Sequence, residues 1–257
     1  MIEKADAIIL NSKKYRETSK ILTLYTKEFG RLNMIAKGSR AKNNKFGGSL
    51  ETLSHVSIVF YHYPQKDYHY ITQSNINNYY KNIHGDITKT MTAMSISEIV
   101  YNTMHPCDPN HSIFNLLVDT FDALEAEKND FLKYLVYFQI HYAHLLGYMP
   151  DISSCTLCGI SVESNRMYDS VYFNINNGSL LCEECSKKII VPLKKTSCGT
   201  GKIINKFYSV NAIKLNSISV SSSLINEVFS IFHLYLKNHV PGMRDLKSLD
   251  LLFSIAN

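Results

Sequence analysis

Cys155-Thr156-Leu157-Cys158-Gly159 and Leu181-Cys182-Glu183-Glu184-Cys185 place four thiols in two Cys-x-x-Cys pairs separated by residues 159–181. Each pair can set two sulfurs on one side of a tight turn. Two such turns can complete a tetrahedral thiolate site for Zn²⁺, with bonds of about 2.3 Å. The usual gap between pairs is roughly 15–20 residues, so this one is slightly long. Gly159 suits the first turn, where backbone amides point at sulfur and a left-handed residue is useful. Cys155, Cys158, Cys182 and Cys185 would fill the coordination shell, which implies one structural zinc ion and no position for a reactive water. An iron–sulfur cluster competes for a four-cysteine set. The non-metal alternatives are four unrelated buried cysteines or a disulfide pair. Arg166, Lys187 and Lys188 lie close enough in sequence to offset a centre of formal charge −2. Cys107 and Cys198 are left over and read as buried or semi-buried structural thiols.

The second chemistry is positive charge. Residues 1–50 hold eleven Lys and Arg against four acids, a net +7 in a chain whose total is +5. Lys13, Lys14, Arg16 and Lys20 crowd one segment. Arg31, Lys37, Arg40, Lys42 and Lys45 crowd another, around Gly30, Gly38 and Gly47-Gly48. Together they could neutralise phosphates and make binding salt-sensitive. Tyr15, Phe46, Tyr61 and Tyr63 could offer faces to unpaired bases. A solvated positive surface over core aromatics accounts for the same residues equally well.

Catalysis finds no support. Gly199-Thr200-Gly201-Lys202-Ile203 lacks the earlier Gly of a phosphate-binding loop, having Thr196 there, and Ile203 stands where Ser or Thr is needed. No HExxH, GxSxG or GxGxxG occurs, and no His-x-Glu accompanies the cysteines as a zinc deaminase requires. His141 and His144, one helical turn apart, read as structural. A metal-dependent enzyme on nucleic acid would need an open metal position or a carboxylate cluster, and neither is in view. The chain is expected not to be an enzyme.

The elements that must carry these groups change character along the chain. Ala7–Leu10, Ile21–Thr26, Leu32–Ala36, Val56–Tyr63 and Tyr68–Thr72 read as strands divided by turn residues. Five short strands in residues 1–80 suit a small closed barrel, with the OB-fold the leading candidate and an SH3-like barrel the other. From about residue 86 the apolar period becomes helical, over Ile87–Val100, Phe114–Leu124 and Phe131–Leu145. The third helix is apolar nearly all round and should be central to its bundle. Asn110 or Ser112 could cap the second helix and Asp130 the third. Gly147 and Pro150 end the third. Residues 151–187 are loop-rich, with a strand at Met167–Ile175 and a turn at Asn177-Gly178, the outline of a zinc ribbon. Helix resumes at Leu224–Lys237, with Ile203–Tyr208 ambiguous. The expected architecture is α+β and multidomain: a barrel over 1–80, a helical domain over 81–150 and 188–257, and a cysteine module inserted at 151–187. No run of about 18 uncharged apolar residues suggests a membrane span. Met1–Leu10 lacks a secretory pattern, so the cytoplasm is the expected location.

At this level the residues resemble the RecO family of bacterial recombinational repair. The resemblance runs through Tyr15-Arg16-Glu17-Thr18-Ser19-Lys20-Ile21-Leu22, Thr26-Lys27-Glu28-Phe29-Gly30-Arg31, Ala36-Lys37-Gly38-Ser39-Arg40 and Leu50-Glu51. It continues in Gly147-Tyr148-Met149-Pro150, both cysteine pairs and Leu246-Lys247-Ser248-Leu249. It implies an N-terminal OB-fold, a helical domain, an inserted zinc module and nucleoid association. It also implies binding of single- and double-stranded DNA and annealing of complementary strands. With RecR it implies loading of RecA onto DNA covered by single-strand-binding protein. Arg16, Lys20, Arg31, Lys37 and Arg40 lie within the matching motifs; Lys13, Lys14, Lys42 and Lys45 are added from local charge. The rival reading is a non-catalytic zinc-containing adaptor that binds protein and not DNA.

Overall fold

Strand β1 (Ile2–Tyr15) is far longer than the apolar run that marks it in the sequence. It pairs antiparallel with β4 (His55–Tyr61) along Ile2–Ile8 and with β2 (Ser19–Thr26) along Ala7–Tyr15, with a register break between Ile9 and Asn11. Such a bulge bends a strand and increases its twist, which lets one strand serve two neighbours. β3 (Gly30–Ala36) continues from β2, and β5 (Tyr68–Asn78) lies between β3 and β4. The order β1-β2-β3-β5-β4 closes on itself, an OB-type barrel that leaves no free edge. Every pairing is antiparallel except β3–β5. The core holds Ile9, Leu22, Leu24, Met34, Ile58 and Phe60 from the strands. Phe46 and Leu50, from the β3–β4 connection, join it. Phe46 is therefore a core plug and not the exposed stacking face its neighbours suggested.

The structure is a computed structural model that describes residues 1–161 and 170–256. Two compact units emerge, Met1–Ala126 with Leu246–Asn257, and Glu127–Asp245. In the first, the barrel is followed by α1 (Lys81–Gly85), α2 (Ile87–Thr103) and α3 (His111–Ala126), with the C-terminal helix Lys247–Ala256 alongside α2. Asp86 caps α2 by accepting from the amides of Thr88 and Lys89. Asn110 caps α3 by accepting from Ile113 N, as its residue type favours. A seam joins barrel to helices at Gly30-Arg31. A Cβ on Gly30 would lie 2.4 Å from the Asp108 carbonyl oxygen, so only glycine admits that approach.

The second unit is built around α4 (Leu132–Leu145), whose residues from Lys133 to Ile140 are all buried. The helix stops at Gly147, at φ 78°, with Tyr148 N donating to Ala143 O at 2.8 Å. β6 (Asp151–Cys155), β7 (Ser170–Asn174), β8 (Ser179–Leu181) and β9 (Leu193–Ser197) form a sheet in the order β6-β8-β7-β9. Residues 167–169 of the expected strand lie outside the described residues. β9 is polar and Lys-rich, and its pattern gave no strand signal. A short helix, α5 (Glu183–Ser186), precedes it; α6 (Cys198–Tyr208) and α7 (Ser222–His239) follow. The glycine–lysine run is thus the first turn of α6 and not a phosphate loop. Gly178 closes the β7–β8 connection at φ 67°, and a Cβ there would lie 2.7 Å from the Tyr235 hydroxyl on α7. Among the described residues, no helix is long and apolar enough to cross a membrane.

Asp130 does not cap α4. It adopts φ 55°, and the helix has no side-chain cap. Glu127 holds that corner instead. Its carboxylate accepts from Lys128 N and Asn129 N, pairs with Lys133 Nζ at 2.8 Å, and bonds the Tyr134 hydroxyl. Burial pushes the Glu127 carboxyl up, but the bond from Lys133 and those amides outweigh it and bring it down to about 2. The folded value lies below the unfolded one, so this stabilisation is complete above pH about 4.5. It is worth about 3 kcal/mol and disappears as pH falls towards 2. Glu127→Gln leaves the buried Lys133 charge without its counter-ion and should cost about 3–5 kcal/mol at pH 7. Urea denaturation should show that gap at pH 7 and a narrower one at pH 3.

Candidate metal centre and nucleic-acid interface

β6 delivers Cys155 at its last residue. The chain then turns through Cys158, and Gly159, at φ 72°, donates its N–H to Cys155 O at 2.8 Å. Cys182 precedes α5 and Cys185 lies within it, so a helical turn sets the second pair. All four sulfurs lie within 4.8 Å of one another. Cys158 and Cys182 sulfurs are 3.8 Å apart. A disulfide would need about 2.0 Å, whereas the edge of a tetrahedron with 2.3 Å bonds is about 3.8 Å. Three of the thiols are buried and Cys158 is exposed. Leu181 lies among them, and Tyr172, Ile189 and Leu193 pack against the cluster.

The electrostatics agree with a metal-binding set. Burial pushes the Cys155 thiol up, but the amides of Cys182, Cys158 and Leu157 aimed at its sulfur bring it down to about 6. Cys185 moves the other way, to about 12, through its hydrogen bond with Cys182, burial and the neighbouring sulfurs. Four thiolates cannot crowd together without a dication, and a dication removes the conflict. The residues present can therefore hold a metal ion such as zinc through four sulfurs. Lys187 reaches Glu183 at 3.5 Å, both exposed; Lys188 is also exposed, and Arg166 lies outside the described residues. Cys107 is exposed and not buried; Cys198 is half-buried at the start of α6.

The nine basic positions fall into two groups. Lys13, Lys14, Arg16, Lys37, Arg40, Lys42 and Lys45 are exposed. Lys20 and Arg31 are half-buried and engaged inside the fold. Lys20 Nζ donates to Leu50 O at 3.1 Å and pairs with Glu51 at 2.9 Å, tying β2 to the loop that plugs the barrel. Arg31 donates to the Tyr101 carbonyl at 2.8 Å and lies over the Tyr101 ring, a favourable place for a cation at the C-terminal end of α2.

Two of the exposed cations, Arg16 and Lys37, line one groove, and Arg40 sits against it. Tyr15–Ser19 at the β1–β2 turn, Ile35, Lys37 and Gly38 at the end of β3, and Tyr70 on β5 line one groove of ≈ 500 Å³. Arg16 sits at the turn with φ 51° and lies over the Tyr15 ring. Arg40 N donates to Thr18 O at 2.8 Å, and its guanidinium to Arg16 O at 3.3 Å, which fixes the β3–β4 loop against the turn. Lys37 Nζ lies 4.6 Å from the Tyr70 ring centre. Glu17 is the one acid among the lining residues. Sequence reading passed over Tyr70 and Lys66. Tyr70 reaches Lys37 only because β5 pairs with β3; Lys66, over the Tyr63 ring at 4.7 Å, stands alone in a turn and made no cluster in the sequence.

Comparison with known proteins follows these features over the whole chain. Residues 1–80 match the family described as "Recombination protein O N terminal", and residues 84–250 match "Recombination protein O C terminal". A protein of Thermoanaerobacter sp. (strain X514) named "DNA repair protein RecO" is 28% identical over 256 residues, covering 99% of this chain and 98% of that protein. Its namesake from Caldanaerobacter subterraneus subsp. tengcongensis is 26% identical over 262 residues, covering 99% and 98%. That from Desulfatibacillum aliphaticivorans is 32% identical over 180 residues, covering 70% and 69%.

Metal analysis of the purified chain should find one zinc ion per chain, and Cys155→Ser/Cys185→Ser should abolish it. Strong chelation should lower the melting midpoint of the second unit. The barrel strands should keep their hydrogen-exchange protection, because no ligand comes from them.

Proposed function

The chain belongs to the recombination protein O family, and on that premise we propose that it is a DNA repair and recombination mediator. In this reading it binds single- and double-stranded DNA and anneals complementary strands. With RecR it helps load RecA onto DNA coated by single-strand-binding protein. It acts without catalysing a reaction. Residues 1–80 are the DNA-binding domain, and residues 151–187 hold one structural zinc ion on Cys155, Cys158, Cys182 and Cys185.

What supports the DNA assignment is that Arg16 and Lys37 line one groove of the barrel while Arg40 braces the loop beside it against Arg16. Ammonium and guanidinium groups there would meet phosphates without reading sequence, since base edges are not needed for such contacts. Lys13, Lys14, Lys42 and Lys45 extend the positive field. Lys20 and Arg31 serve the interface by holding its loops and strands in place. Two strands brought to one cationic surface repel each other less, and base pairing then supplies the free energy of annealing. No nucleotide hydrolysis is required.

Lys37→Glu/Arg40→Glu changes two exposed side chains and should leave the barrel intact, since the backbone bond from Arg40 N to Thr18 O still holds the loop when the guanidinium's bond to Arg16 O is lost. Each phosphate contact contributes about 0.9 to the logarithmic salt slope on duplex DNA. The double variant should therefore lose about two units of slope, bind DNA at least tenfold more weakly and anneal complementary oligonucleotides correspondingly slowly. Unchanged affinity and unchanged slope would remove these loops from the interface.

A further inference from the structure

One feature beside the groove is not explained by phosphate contact. Tyr61 and Tyr70 face each other across the β4–β5 pairing, and the ring of Tyr63 stands beside both. The centroid separations are 6.4 Å for Tyr61–Tyr63 and 6.2 Å for Tyr63–Tyr70. The rings are tilted by 37° and 89° respectively, so they do not form a parallel stack. Tyr61 is 42% exposed and the other two are half-buried. Lys66 lies over Tyr63 and Lys37 over Tyr70. This is an aromatic row on the outside of a barrel, with a cation at each of two ring faces and the groove at one end.

Bases stacked in a duplex rise by about 3.4 Å per step. Rings about twice that far apart, and inclined to one another, cannot each take a base from an intact stack. They can take bases from a strand whose nucleotides are splayed. We propose that Tyr61, Tyr63 and Tyr70 form a subsite for unpaired bases, so that the barrel holds single strands by stacking plus phosphate contact and duplexes by phosphate contact alone. The proposal rests on the DNA-binding reading above and adds which part of the surface distinguishes the two substrates. Lys37 and Lys66 supply the second half of the mechanism. An ammonium over a ring face is displaced by a base that stacks there, and it then stands beside that nucleotide's phosphate. Annealing follows naturally: a base that finds its complement leaves the ring for the duplex, and the ammonium returns to the face it vacated.

The test uses the full chain with an oligothymidine single strand and a duplex of equal length, each at two salt concentrations. Tyr61→Leu/Tyr63→Leu, which leaves the groove lining untouched, should weaken single-strand binding by about tenfold or more, the scale of one or two lost base–ring stacks. Its salt slope and its duplex affinity should stay at the wild-type values. Tyr61→Phe/Tyr63→Phe should bind as wild type, because stacking needs the ring and not the hydroxyl. Equal losses on both substrates, or no loss on either, would overturn the subsite while leaving the basic interface standing. A wild-type chain that binds neither substrate in a salt-dependent way would overturn the DNA-binding reading and this inference with it.

Discussion

Three residue pairs close the barrel: Asn33 with Tyr68, Met34 with His69, and Ile35 with Tyr70. This is the parallel contact in an otherwise antiparallel barrel, and more than thirty residues of chain must be looped to make it. Loop closure of that length is entropically unfavourable. Burial of Phe46 and Leu50 from the intervening loop offsets it, since each brings apolar surface into the barrel core. The consequence reaches the surface. The β2–β3 pairing brings the β1–β2 turn to the end of β3, and closing β3 against β5 adds Tyr70 beneath Lys37. Without that closure the basic residues would lack the aromatic wall that β5 supplies.

The cysteine module of the second unit meets a similar difficulty by other means. Its sheet has short strands, and its local cluster, apart from the helical core around α4, is three buried cysteines with Leu181, flanked by three partly buried apolar side chains. So little apolar burial cannot offset the entropy of ordering the loops around it. A tetrathiolate metal centre can, because the ion binds the folded arrangement and not the open chain. The amides that lower the Cys155 thiol and the crowding that raises Cys185 are two sides of that arrangement. One prepares a thiolate, and the other makes a set of four untenable until a dication joins it.

Much of this was legible in the sequence because it is written locally. Two Cys-x-x-Cys pairs announce their geometry by spacing, and alternating or helical apolar periods mark most strands and helices. What was not legible depends on partners distant in the chain. Lys20 and Arg31 look like their basic neighbours in sequence, yet Glu51 and the Tyr101 carbonyl draw them inward. Phe46 sits among lysines and glycines but faces the core, and Asp130 precedes a helix but takes a left-handed backbone while Glu127 accepts the amides of Lys128 and Asn129. β9 is polar enough to read as loop and becomes a strand only because β7 offers an edge. The row Tyr61, Tyr63, Tyr70 is assembled by β4–β5 register, which no single-strand pattern displays.

β2–β3 pairing and barrel closure together gather the β1–β2 turn, the end of β3 and the face of β5 into the surface proposed to hold nucleic acid. Amide hydrogen exchange of the full chain, with and without a saturating single strand, tests it most directly. The account predicts new protection at residues 15–19, 37–42 and 62–68, with α7 and the C-terminal helix unchanged. Protection confined to the second unit, with those barrel segments exchanging as in the free protein, would contradict it.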